Sequence, residues 1–457
     1  MATKSTTAAK LLRVLTADDK GFPKAWQAVC LREAEALPAK ESDEIAALVD
    51  RIREGGDRAL RAWVEKRYET EIDRLEVTND EWDAGCEAVN PTDRAALGKA
   101  AMRIRDFHRK RIPSSWEMRE EGGGYMGQRV RALARVAICA PENGALHPSV
   151  LIMNATPPSV VEVPEIFLAA PPGANGQIRP EILMAARVAG VHRVFKMAGA
   201  PAIAAFAYGT VTIPRVDKIV GPGDARSDIA RRKVAGAVGL GGGSSGPREV
   251  CIVADKTATP AWIAADLLSH AESGGNAQTV FVTHVKALVT RVQEQLGKQL
   301  KTFGQTRVAR QSLSAAGVIV VTRSLEESLV LANEYAPEHL VLAVDDPEQA
   351  AKSIYNAGAI FMGHYTPVAV GDYLAGPNDV LPAGGTARFD SPLGVEDFLK
   401  RTSFIKFEPP KLRELGAEVV RLAEVEGLSG HGTSVELRLQ KIRRVRRERE
   451  QAREAEL

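Results

Sequence analysis

From Arg131 onward, short apolar runs alternate with amphipathic stretches, and this alternation constrains the fold more than any other feature of the chain. "ARVAICAPE", "VVEVPEIFLAAPP", "HRVFKMAG" and "VDKIVGPGD" read as strands, with "RPEILMAARVAGV" and "APAIAAFAYG" as helices between them. A second series follows, in which "EVCIVAD", "AQTVFVTH", "AAGVIVVTR", "HLVLAVD" and "GAIFMG" are the strands and "TPAWIAADLLSHAES", "VKALVTRVQEQLGKQL" and "SLEESLVLANEYAPE" the intervening helices. Near-continuous apolar strands separated by helices are the pattern of a parallel sheet covered on both faces. The expected fold is therefore α/β, with Rossmann-like parallel-sheet domains over 131–245 and 246–395.

The flanks read differently. Residues 1–130 form a helical N-terminal segment, with "ESDEIAALVDRIREGGDRALRAWVEKRY" at helical spacing and Gly55–Gly56 as a break; it is expected to pack on the second α/β domain. Residues 396–457 read as a polar, helical C-terminal tail, too small for a core of its own. At 457 residues, with 45% hydrophobic and 26% charged, the profile is that of a soluble multidomain protein. A net charge of +2 gives no electrostatic case for nucleic acid or an anionic membrane, and no apolar run approaches the roughly 18 residues of a membrane span. The four cysteines are scattered without a CxxC pair, which fits a reducing cytoplasm better than a disulfide framework.

The stretch "NEYAPEHLVL" joins a helix to a strand through Pro337 and sets Glu338 beside His339. An acid next to an imidazole is either a general acid/base pair or two solvated loop residues, and the dipeptide alone leaves both open. Two α/β halves suggest a nucleotide cofactor, yet a GxGxxG after a first strand is absent. "GPGD" at Gly221–Asp224 and "GLGGGSSGP" at Gly239–Pro247 are Gly-rich turns that suit close approach of a phosphate or simply a tight turn.

Taken in order, "VDKIVGPGD", "AADLLSHAESGGNAQTVFVT", "YAPEHLVL", "VGDYLAGPNDVLPAGG" and "EGLSGH" resemble the histidinol dehydrogenase family, collinearly from about residue 25 to residue 440. The resemblance implies an NAD-dependent oxidation of L-histidinol to L-histidine through the aldehyde, in histidine biosynthesis, by a cytoplasmic zinc-containing homodimer. It implies that His339 is the general base and that Glu338 activates water, and it makes Asp372 and His431 metal ligands. Where the family has Gln-Ala-Glu-His, this chain has His270, Ala271, Glu272 and Ser273. His270 is expected to supply the third ligand, from one helical turn away on the same face; the alternative is that metal binding is lost and His270 is a packed polar residue.

Other family positions differ too. Arg248 stands where the family has Ser, and Asp379 where it has a substrate-facing His, which rewrites the hydrogen bonding of the substrate pocket. Glu426 matches a substrate contact made across the dimer by a swapped tail. On the cofactor side Cys139, Pro201 and Asp224 replace a Tyr, a Gln and an Asn, and Asp224 is the candidate cofactor contact. Beside the family's own reaction stand two alternatives: the same machinery acting on another amino or anionic alcohol, and a non-catalytic relative. In every case the expected partners are a small-molecule substrate and a second copy of the chain, without nucleic acid or membrane.

Overall fold

The computed structural model describes residues 11–32, 37–142, 146–242, 248–274 and 276–456. Its larger sheet has six parallel strands, in the order Arg13–Thr16, Val318–Val321, Gln278–Thr283, Glu249–Ala254, His339–Ala343, Ala359–Met362. A second parallel sheet has five strands, in the order Arg193–Lys196, Glu165–Ala170, Arg135–Cys139, Lys218–Val220, Gly239–Leu240. The central strands are buried along their whole length, as in Glu249–Ala254 and Gln278–Thr283, because helices cover both faces. Both sheets belong to one compact unit, 1–112 with 132–398. Strands called from their apolar runs fall where expected, and the α/β class holds.

The N-terminal segment departs from expectation. Arg13–Thr16 is a strand, pairing with Val318–Val321 at the edge of the six-stranded sheet, and Trp26 of the helix Phe22–Cys30 packs into that sheet's core. The helix Ala39–Tyr68 instead packs on the five-stranded sheet. Its buried face of Ile45, Val49, Ile52, Leu60 and Val64 meets Phe167, Phe195, Ile203 and Phe206. Gly56, at φ +54°, kinks it where the sequence shows a break. The helices Asn79–Ala88 and Pro91–Arg109 pack over the helices Pro148–Val160 and Pro180–Ala189 in the core on the same sheet's other face. The segment thus serves both sheets rather than the second alone.

The C-terminal tail is also more than helix. It opens with the strand Leu399–Phe407, which joins Gly124–Ala132 and Trp116–Glu120 in a three-stranded sheet. Residues 113–131 and 399–457 form a second compact unit, completed by the helices Pro409–Val425 and Ser429–Ala455. Within it Leu439 packs against Gly416, leaving no room there for a larger residue. Among the described residues, no helix is long and apolar enough to cross a membrane.

Candidate active site

The strand His339–Ala343 is entered through a strained turn. The helix Leu325–Tyr335, capped by Ser324 accepting from the Glu327 amide, ends at Ala336, which is left-handed at φ +49°. A non-glycine residue in that region costs roughly 1–2 kcal/mol, and Pro337 prevents the helix from continuing. Gly358 lies alongside. A methyl group on it would come within 2.6 Å of the Glu338 carbonyl oxygen, so the neighbouring chain approaches only because that residue has no side chain.

Glu338 and His339 are thereby delivered at the amino end of the strand His339–Ala343, beside that of Glu249–Ala254, and neither is a solvated loop residue: they are 3% and 0% exposed. Glu338 Oε2 accepts from the Glu249 amide at 2.8 Å, while the Glu338 amide donates to Glu249 Oε2 at 3.3 Å. Glu249 is itself fully buried and is held by Arg32, whose Nε and Nη2 donate to its two carboxylate oxygens at 2.6 and 3.1 Å. Arg32 also donates to the carbonyls of Tyr335 and Ala336 and lies 3.7 Å above the Tyr335 ring, so one guanidinium clamps the strained turn to the strand beneath it. Sequence reasoning missed both Arg32 and Glu249. The available signal was an acid opening the otherwise apolar run "EVCIVA", which calls for a buried cation.

His339 Nδ1 donates to the Glu249 carbonyl at 3.0 Å, and its Nε2 faces Asp379 Oδ1 at 3.1 Å. Burial opposes charge on this ring, but the Glu338 carboxylate and the contact with Asp379 outweigh it and lift its pKa to about 10. It therefore rests as an imidazolium donating at both nitrogens. His270 sits beside it, ring centres 5.3 Å apart. Burial, with the positive charges of His339 and Arg248, pushes His270 well below its ordinary value, so it stays neutral; its Nε2 is buried without a protein partner.

Arg248 occupies the middle of this arrangement. Its Nη1 donates to Glu338 Oε1 at 3.1 Å and to Asp379 Oδ2 at 3.3 Å, and its Nη2 to Asp372 Oδ1 at 3.2 Å. Asp379 is held well below the usual carboxylate range: burial works against its charge, but Arg248 and His339 prevail. Asp372, more open, is raised to about 7 by burial and then by the neighbouring Asp379 carboxylate, against the pull of Arg248.

The structure thus brings together His270, Arg248, Glu338, His339, Asp372 and Asp379. Glu426 and His431 lie in the second unit, both exposed, the first closing the helix Pro409–Val425 and the second in the opening turn of Ser429–Ala455. Asp224 is elsewhere. It caps the helix Ala225–Val234 through Oδ1, accepting from the Ser227 amide at 2.7 Å. It follows the strand Lys218–Val220, which lies beside Arg135–Cys139 where the order of the five-stranded sheet reverses. Open α/β sheets bind ligands outside the carboxyl ends of strands at such a reversal. Gly221 makes the turn there at φ +128°, and any side chain on it would strike the Cys139 carbonyl. Cys139 is itself buried, its thiol pushed up to about 12 by burial.

A metal would need free donors. In two groups of ionisable side chains, His270 with Glu338 and His339, and His339 with Asp372 and Asp379, the potential ligand atoms lie within 4.8 Å of one another. Glu338, Asp372 and Asp379 are already engaged by Arg248, and both nitrogens of His339 are used. His270 Nε2 is left over in these groups, and a free imidazole among carboxylates already held by a guanidinium does not fit a zinc ion in this arrangement. His270, expected as the relocated ligand, lies in the last turn of the helix Pro260–Ala271, and Ser273 is exposed beyond its end.

Two parallel sheets with a buried acid–imidazole cluster at adjoining strand ends define an α/β enzyme. The histidinol dehydrogenase family model matches residues 32–439. The histidinol dehydrogenase of Syntrophotalea carbinolica is 44% identical over 94% of this chain and 99% of its own length, and that of Geobacter sulfurreducens 42% identical over 94% and 100%. The crystal structure of histidinol dehydrogenase from Elizabethkingia anophelis superposes with a TM-score of 0.89 at 28% identity, covering 95% of this chain and 99% of that one. The chain belongs to the histidinol dehydrogenase family, and it is an NAD-dependent oxidoreductase.

Proposed function

We propose that the chain oxidises L-histidinol to L-histidine in histidine biosynthesis, in two NAD-dependent steps. In the first, the alcohol gives a hydride to NAD⁺ and a proton to the protein, leaving the aldehyde. In the second, water adds to the aldehyde, and the hydrate gives a second hydride to a second NAD⁺, leaving the carboxylate and protons. The observation that carries this reading is the burial of Glu338 and His339 side by side at the strand ends, in a chain more than 40% identical to histidinol dehydrogenases over nearly its whole length.

His339 takes the alcohol proton only after releasing its own, so the base form is favoured by alkaline conditions. Glu338, its carboxylate oriented by Arg248 and the Glu249 amide, aligns the attacking water. The neutral, unpartnered His270 Nε2 is a substrate contact in this reading, as are Arg248, Asp379 and Glu426. Asp224, at the reversal of the five-stranded sheet, would hold NAD, which supplies the hydride acceptor when bound. Of the expected zinc ligands His270, Asp372 and His431, Asp372 is held by Arg248 and His270 alone keeps a free nitrogen in the first unit, too few free donors there for the metal.

The protein is a cytoplasmic homodimer whose tail completes the partner's site. Leu422, Val425, Leu428 and Leu437 stand exposed on the second unit, a grouping that favours a covering partner, and all four cysteines are free thiols, which suits a reducing compartment. Sedimentation at micromolar concentration checks the dimer; a monomer refutes it.

A second reading, the same machinery acting on another amino or anionic alcohol, draws on the altered pocket residues Arg248 and Asp379. The test is product analysis with excess NAD⁺. L-Histidinol yielding histidine and two NADH per molecule upholds the first reading. NADH from another alcohol alone moves the chain to the second, and NADH from none refutes both.

A further inference from the structure

The guanidinium of Arg248 sits where three acidic side chains, 90 to 131 residues further along the chain, converge, and it donates to all of them at 3.1–3.3 Å. We propose that Arg248 is the resident cation of this centre and takes the place of a metal ion, so that the protein works without one.

The carboxylates at issue are 4%, 9% and 27% exposed, for Glu338, Asp379 and Asp372, while Arg248 itself is one-third exposed. Three acidic groups brought this close together repel unless a positive charge or a proton lies among them. A guanidinium meets that need permanently. It does not deprotonate in proteins, and its planar fork reaches several carboxylate oxygens at once. A divalent cation drawn to the same oxygens would have to displace those hydrogen bonds and would then lie against the displaced guanidinium. Like charges at that distance repel strongly in a partly desolvated site. Both ring nitrogens of His339 are already taken, one by the Glu249 carbonyl and one by Asp379. His270 keeps a free nitrogen, but one imidazole beside a guanidinium is a poor site.

In use, the guanidinium holds the Glu338 carboxylate in place, and it stands beside any negative charge that develops on the substrate oxygen. The role thus deepens the oxidoreductase reading of the same centre and rests on it, whereas the binding of metal is measured without turnover, so the two claims fail separately.

The test is zinc titration of chelator-stripped full-length protein, with a chromophoric chelator as competitor. Wild type should take up no zinc at micromolar concentration. Arg248→Ala frees the three carboxylates and should bind about one zinc per chain, with an affinity at least roughly 100-fold higher, a change as large as those made by altering the groups around a metal. Adding His270→Ala to that variant should abolish the new site. Arg248→Lys keeps the charge and should remain without zinc. Wild type that binds about one zinc per chain as tightly as Arg248→Ala, or that is purified with it, overturns the proposal. Should Arg248→Ala fail to fold, the wild-type titration decides: uptake of one zinc refutes, no uptake upholds.

Discussion

Replacing Arg32 by Met removes the charge that permits Glu249 to be buried, and the consequence can be worked from the geometry. The pair is bidentate, its side chains 2% and 0% exposed, and removing one partner of such a pair typically costs about 3–5 kcal/mol. Burial already pushes the Glu249 carboxyl above its ordinary value, and Arg32 is the main force restraining it. Without Arg32 the carboxyl escapes by taking a proton. Holding a carboxylic acid protonated at pH 7, against an unfolded pKa of about 4.3, costs about 1.36 kcal/mol per unit, or roughly 4 kcal/mol. The two routes agree at about 4 kcal/mol, a large share of an ordinary folding stability of about 5–15 kcal/mol.

The sign of the pH dependence follows from the same step. In Arg32→Met the folded pKa of Glu249 lies above the unfolded one, so the penalty is small near pH 4 and grows as pH rises toward 7. Met rather than Ala keeps apolar contact with the Tyr335 ring. Urea denaturation of wild type and variant at about pH 5 and pH 7 reads both the size and the slope. Arg32→Met/Glu249→Gln should recover much of the loss, since the buried group is then neutral. A cost below about 1 kcal/mol at pH 7, or one that does not change with pH, would refute the reasoning.

His339→Asn should lower turnover by about 10²–10⁴ with the fold intact by circular dichroism, and wild-type turnover should climb with pH toward the pKa of about 10 that Glu338 and Asp379 impose on His339 against its burial; a profile that peaks below neutrality would count against His339 as the base. His108 is fully buried, with both nitrogens unpartnered, and burial, then Arg111, lowers it to about 4. Its unfolded form binds the proton more readily, so up to about 3 kcal/mol of stability is lost as pH falls from about 6.5 to 4, and His108→Met should flatten that acid limb in denaturation curves. Gly358→Ala drives a methyl group against the Glu338 carbonyl, and overpacking of this kind costs about 1–3 kcal/mol; unchanged stability and turnover would mean that the approach relaxes freely.

The parallel strands were legible because strands covered on both faces must be apolar almost throughout, as "EVCIVA" and "QTVFVT" are. The same rule explains the misses. Arg13–Thr16 is a partly exposed edge strand, and Trp116–Glu120 pairs antiparallel with Gly124–Ala132 with most of its side chains exposed, so neither carries an apolar run. Pro337 and the resemblance made Glu338 and His339 visible as a site, and Arg248 and Asp379 visible as altered pocket positions. What Arg248 does there was not legible. Its carboxylate partners are 90, 124 and 131 residues away in sequence, and no periodicity encodes a contact of that range. For the same reason Arg32, 217 residues from Glu249, passed as one more charge near the N-terminus, and His270 suggested a relocated ligand until the neighbouring carboxylates proved to be engaged.

The initial rate of NADH formation from L-histidinol by wild-type protein kept in excess chelator throughout tests the guanidinium-centred site most directly. Turnover is expected at the same rate with chelator as with added zinc. Turnover that disappears with chelator and returns with zinc would contradict the guanidinium-centred site, and no turnover under either condition would contradict the assignment of the reaction itself.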